Sequence, residues 1–185
     1  FIILPRAAVS ARRINEVLDT EEKIVDGAVT GSELYEQGEV EFKHVSFRYP
    51  DADDDILHDI SFTAHKGETV AFIGSTGSGK STLINLVPRF YDTTEGEVLV
   101  DGVNVKEYTQ EALHNKLGYV PQKAVLFSGT VASNVTYGEN GKAPAEDEDI
   151  HEAVAIAQAE EFVSQMEDTY DAEIAQGGTN VSGGQ

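Results

Sequence analysis

Cysteine is absent from this 185-residue chain. No disulfide framework and no thiolate metal site can form, a pattern that fits a reducing compartment. Basic residues are scarce: 13 Lys and Arg stand against 33 Asp and Glu, for a formal charge of −20. Phosphate backbones and anionic lipid are bound by clustered Lys and Arg, so neither nucleic acid nor a lipid surface is an expected unaided partner. No apolar run approaches the ~18 residues that suggest a membrane span. A starting Met is missing as well. The opening Phe1-Ile2-Ile3-Leu4-Pro5 is too short for a secretory signal, and we expect the chain to be part of a longer polypeptide. What is present is 40% hydrophobic residues, enough for one globular domain with a core and a small satellite.

Along the chain, Ala8, Ala11, Ile14, Val17 and Leu18 recur at spacings of three and four, which predicts an amphipathic helix over 7–18. Residues 20–38 are polar and punctuated by glycine, the composition of a linker. The globular domain is expected to begin near Glu39. Alternation of Val40 and Phe42, then of Val45, Phe47 and Tyr49, predicts a strand with an irregularity near His44. A second strand follows over 56–64, with the acidic stretch 51–55 as a solvated turn between the two. Glu68–Gly74, "ETVAFIG", is a continuous apolar run ending in glycine and predicts a strand buried on both faces.

The segment 81–87, "STLINLV", predicts a helix of about two turns stopped by Pro88. Residues 96–105 read as a small hairpin, 116–122 as a strand entering a Pro/Gln loop, and 146–166 as one or two helices. The layout is α/β, a mixed sheet with appended subdomains.

The segment Gly74-Ser75-Thr76-Gly77-Ser78-Gly79-Lys80-Ser81 fits G-x-x-x-x-G-K-[ST] at every position. In the expected setting, between a buried strand and a helix, successive backbone N–H groups form a nest for phosphate oxygens. Glycines at 74, 77 and 79 permit positive φ and a close approach of backbone to ligand. Lys80 would bridge β- and γ-phosphate oxygens, the Ser81 hydroxyl would ligate Mg²⁺, and Thr82 would add an α-phosphate contact. These residues predict a nucleoside triphosphate site. They do not choose among kinases, GTPases, helicases and transport ATPases.

A second small-residue motif, "NVSGGQ", closes the sequence. Together with the phosphate loop it resembles the ATP-binding domain of ABC transporters, of the exporter kind in which membrane segment and ATPase share one polypeptide. The likeness runs from Leu4 to Gln185, with Val181 where the family signature LSGGQ has Leu. It implies a P-loop NTPase core with an antiparallel β subdomain and an α-helical subdomain, the C-terminal part of the core not included. It also implies that Ser182, Gly183, Gly184 and Gln185 face the ATP held by the phosphate loop of a second, head-to-tail domain, so that two ATP molecules join two domains in a homo- or heterodimer.

By the same resemblance Tyr49 stacks on adenine. Gln122 reaches Mg²⁺ and the attacking water, its loop sensing the transmembrane domain, and Phe127 to Tyr137 contact a coupling helix. Residues 173–180 correspond to the exporter X-loop, with Gln176 where the family often has Glu, and Glu173 three residues earlier. Residues 1–19 resemble the cytoplasmic end of the last transmembrane helix, 20–38 its linker and 39–185 a partial nucleotide-binding domain at the cytoplasmic face of the cell membrane. ATP and Mg²⁺ are the implied cofactors, and Lys80 and Gln122 the implied catalytic residues.

The family's Walker B carboxylate, catalytic Glu and switch His follow the signature and do not occur here. These 185 residues alone are therefore expected not to turn over ATP, and to leave apolar core faces uncovered. The five histidines, 44, 58, 65, 114 and 151, show no metal spacing. A soluble ABC ATPase without transport, and a P-loop kinase, remain the alternative readings.

Overall fold

A computed structural model describes residues 3–31, 38–123, 125–138 and 143–182, without side chains at 3 and 4. The chain divides into two compact units, Phe1–Leu113 and His114–Gln185.

In the first unit, helix α1 (Ile3–Leu18) precedes a four-stranded sheet of order β2-β1-β3-β4. Its strands are β1 (Val40–Phe47), β2 (Leu57–Ala64), β3 (Glu95–Val100) and β4 (Val103–Asn104). Every pairing in it is antiparallel, where the sequence suggested a mixed sheet. Phe42 pairs with Phe62 on one side and Val98 on the other.

The irregularity expected near His44 is present. His44 has φ 50° and the register shifts between Phe42 and Val45. One extra residue there lets Phe42, Val45 and Phe47 all point into the core, where each is at most 2% exposed. The bulge N–H of His44 donates instead to the Ser61 hydroxyl at 2.9 Å.

Helix α2 (Lys80–Leu86) lays Thr82, Leu83 and Leu86 into the core of this unit and ends before Pro88, as the sequence predicts. The fully buried Tyr108 donates its hydroxyl to the Val100 carbonyl at 3.0 Å. Helix α3 (Gln110–His114) follows.

Part of the glycine-punctuated segment before the sheet is bonded to this unit. The Gly27 N–H donates to Tyr108 O and the Val29 N–H to Glu107 O, while Val29 O accepts from the Thr109 N–H, all at 2.8 to 2.9 Å. Arg89, only 6% exposed, adds a guanidinium bond to the Val25 carbonyl at 3.0 Å and an ion pair with Asp92. A buried cation needs such partners to offset its lost hydration.

The second unit contains β5 (Gly129–Thr130), α4 (Val131–Val135), α5 (Asp147–Ile156), α6 (Glu160–Ser164) and β6 (Glu173–Ile174), which pairs with β5. Thr130 and Ser133 form a reciprocal capping box at the start of α4. Val131, Val154, Val163, Ala172 and Ile174 form its core, with Leu126, Phe162 and Val181 packed against them. The helices expected over 146–166 are thus two, α5 and α6.

Two expected strands are not formed. Glu68–Gly74 and the stretch 116–122 are extended or bent chain without ladder partners. Far from being buried on both faces, Ile73 is 96% exposed and Val120 93%, and Val70 and Tyr119 are exposed too. Apolar composition makes a buried strand favourable only when a neighbouring strand accepts and donates its backbone hydrogen bonds. Among the described residues no strand stands beside either stretch. Phe72 keeps one aromatic contact, a T-shaped approach to Phe62 with centroids 5.1 Å apart.

Candidate functional site

The phosphate loop leaves the exposed stretch Glu68–Gly74 and enters α2. Gly77 and Gly79 take φ of 84° and 86°, the left-handed region that the motif reserves for glycine. At Gly79 space is limiting as well, because a Cβ there would lie 2.8 Å from Leu57 Cδ2 and 3.2 Å from the Ile56 carbonyl oxygen. A Cβ at Gly74 would project into the loop, 2.6 Å from Ser78 Oγ and 4.0 Å from Lys80 Nζ. Glycine keeps that concavity open, which is the space an anionic group would need, and the loop therefore fits a phosphate.

Lys80 closes the loop on itself. Its ammonium donates to the carbonyls of Gly74 and Ser75, both at 2.7 Å, and to the Ser78 hydroxyl at 3.2 Å. Carbonyl dipoles are weaker partners for a cation than phosphate oxygens, so an anion in the cradle can draw the ammonium to itself. Ser81 is exposed at the first turn of α2. Thr82 is 5% exposed and shares a 3.0 Å hydrogen bond with the Tyr49 hydroxyl.

Tyr49 lies two residues beyond β1, beside this loop. Its ring meets Phe47 and Tyr91 edge to face, with centroids 4.9 and 5.2 Å apart. The first unit thus brings Tyr49 onto Thr82, at the end of the segment Gly74–Thr82, although the two are 33 residues apart in sequence. Tyr91 and the Tyr49–Thr82 bond were not legible beforehand; an aromatic at a helix-to-strand connection was the available signal.

Gln122 and Ser182 belong to the second unit, and both are exposed. The approach to the signature is held firmly there. Asn180 donates to Glu173 O at 2.7 Å and accepts from the Ala175 N–H at 2.9 Å, and Val181 packs on the core of this unit. Gly183, Gly184 and Gln185 lie outside the described residues. Glu173 and Gln176 both expose their side chains. Phe127 and Tyr137 stack on each other with centroids 4.1 Å apart, 43% and 65% exposed. Among the described residues no three His, Asp or Glu side chains converge on a metal-sized site.

A glycine cradle closed by a lysine at the mouth of a helix, in a unit built on an antiparallel sheet, defines a P-loop nucleotide-binding domain. Comparison with known proteins narrows this. The ABC transporter family model matches residues 57–185, and the chain belongs to that family. It is 46% identical over 191 residues to an ABC transporter ATP-binding protein of Mycobacterium tuberculosis, covering 99% of this chain and 31% of that protein. A Staphylococcus aureus protein whose name assigns it to multidrug export as an ATP-binding/permease protein is 42% identical over 170 residues, 92% of this chain and 29% of its own length. Among solved structures, that of a bacterial Atm1-family ABC exporter with ATP bound superposes with a TM-score of 0.85 at 34% identity, over 97% of this chain and 31% of that one. The chain therefore spans about a third of the length of the relatives it matches, and it corresponds to their ATP-binding domain.

Proposed function

We propose that this chain is the ATP-binding motor domain of an ABC exporter, which binds Mg-ATP and pairs head to tail with a second such domain at the cytoplasmic face of the membrane. The observation that carries this reading is the loop itself: left-handed Gly77 and Gly79, an open position at Gly74, and Lys80 Nζ poised over two loop carbonyls.

Each residue then has a task. Gly74–Gly79 present backbone N–H groups to phosphate oxygens. Lys80 exchanges its carbonyl partners for β- and γ-phosphate oxygens, which costs little because the ammonium stays fully bonded throughout. Ser81, exposed on the first turn, would hold Mg²⁺, and Gln122 keeps the metal-ligand role that the family resemblance gives it. When bound, the ion neutralises charge on the β- and γ-oxygens. Tyr49 offers its ring to the base, a contact worth roughly 1–3 kcal/mol that tolerates different bases.

Ser182, with Gly183, Gly184 and Gln185, would cap the ATP of the partner domain. Nucleotide then acts as a ligand that binds the closed pair better than the open one, and hydrolysis removes that preference. The stacked, exposed Phe127 and Tyr137 suit an apolar contact with a transmembrane-domain helix, and α1 suits the cytoplasmic continuation of a membrane helix. Turnover is a property of the intact polypeptide, in which the family's general base and Walker B carboxylate would act on the nucleotide held here.

The test uses the intact polypeptide that carries this chain. Lys80→Ala is expected to lower ATP turnover by about 10²-fold or more, measured as phosphate release. Full turnover in that variant would remove the assignment. Ser182→Ala is expected to weaken ATP-dependent pairing while leaving nucleotide affinity of the separated domain intact, and a large loss of that affinity would refute the role in trans.

A further inference from the structure

The Tyr49 hydroxyl does something that base stacking does not require. It reaches Thr82, 33 residues away in sequence, and makes a 3.0 Å hydrogen bond to a side chain that is 5% exposed. The Tyr49 ring is already fixed by two edge-to-face contacts, with Phe47 at 83° and Tyr91 at 89°. A phenylalanine would keep both ring contacts and lose only the bond to Thr82. Thr82 itself sits one residue after Ser81 in the first turn of the helix that leaves the phosphate loop.

A hydroxyl has one hydrogen and two acceptor sites. A phenol is a better donor than an aliphatic alcohol, so the favoured arrangement has Tyr49 donating and Thr82 accepting. The single Thr82 hydrogen is then left to point at another acceptor, and the neighbouring cradle is where phosphate oxygens would lie. We propose that the Tyr49 hydroxyl is a positioning group for phosphate binding: it ties the aromatic platform beyond β1 to the phosphate-loop helix and turns the Thr82 hydroxyl toward the ligand's phosphates. This rests on the nucleotide-site reading above. It makes the base end and the phosphate end of the site one coupled unit, in which a change at Tyr49 is felt by a ligand that has no base.

The test measures dissociation constants of the intact polypeptide for Mg-ATP and for inorganic tripolyphosphate, which carries the phosphates alone. Tyr49→Phe is expected to weaken both ligands by about three- to tenfold, the usual worth of one neutral hydrogen bond. Thr82→Val should cost at least as much, because it removes the phosphate-facing hydroxyl itself, and the double variant no more than Thr82→Val alone, since Tyr49 acts only through that hydroxyl. Thr82→Ser, which keeps the hydroxyl, should bind like the parent.

Weakening of ATP alone would place the hydroxyl at the base and overturn the tether, and so would unchanged binding of both ligands or additive losses in the double variant. The nucleotide reading fails separately, if the parent does not bind tripolyphosphate or if Lys80→Ala binds it undiminished. A melting temperature for each variant distinguishes loss of fold from loss of positioning, because a purely structural bond would lower the melting temperature and leave tripolyphosphate affinity per folded molecule unchanged.

Discussion

Strand β1 and the stretch Glu68–Gly74 have similar apolar content, and their fates differ. In β1, Phe42, Val45 and Phe47 are buried between two antiparallel neighbours. In the other stretch Val70, Phe72 and Ile73 face solvent and no ladder forms. Hydrophobic side chains gain by leaving water, but the backbone they carry must keep its hydrogen bonds when it follows them. β1 has β2 and β3 to supply these bonds. Glu68–Gly74 has no such neighbour among the described residues, and its apolar side chains are left exposed. Within the described residues of the first unit the core and the loop that would grip phosphate are separate: the sheet carries the core, and the loop runs into α2.

This separation can be broken or sharpened by substitution. The largest effect is expected in the sheet. Phe42→Ala removes a side chain that is 1% exposed and stacks on Phe62 at 4.7 Å, and should cost about 3–5 kcal/mol in denaturant unfolding. A loss comparable to that of a surface change would mean the sheet is not where the stability resides.

Gly79→Ala comes next, at the junction of the two regions. A φ of 86° and a Cβ 2.8 Å from Leu57 predict a cost of about 1–3 kcal/mol together with weaker nucleotide binding, read by thermal melting and titration. Unchanged values for both would show that the loop geometry is dispensable.

The smallest effect is expected at Ile73→Ala. In this chain a side chain 96% exposed should change unfolding by less than about 0.5 kcal/mol. A loss equal to that of Phe42→Ala would erase the contrast between the two stretches.

Much of the local structure could be read before any coordinates. The shift of phase between Phe42 and Val45 announced the bulge at His44, because side chains alternate along a strand and an interruption requires an extra residue. The G-x-x-x-x-G-K-S spacing located the cradle and the start of α2, and Pro88 its end. The bonding of residues 27–29 to 107–109 was not legible. Its contacts run from backbone to backbone, which leaves no side-chain pattern, and the segment's glycine and polar residues are those of any linker. Arg89 was silent for a related reason: a basic residue after a helix reads as surface, and only the carbonyls of Val25 and Lys106 with the Asp92 carboxylate make its burial affordable. The signature glycines, the motif most informative about family, lie outside the described residues.

The sequence by itself determined which segments can form a strand, a helix or a glycine cradle, since these follow from side-chain period, from the φ that glycine permits and from where proline forbids a helix. It also determined family membership, through the order and spacing of two glycine motifs. Tertiary structure alone decided which apolar stretches are buried, which carbonyls hold Lys80, and that Tyr49 is joined to Thr82. Each of these depends on a partner distant along the chain, and a hydrogen bond or a buried face exists only once both partners occupy the same place.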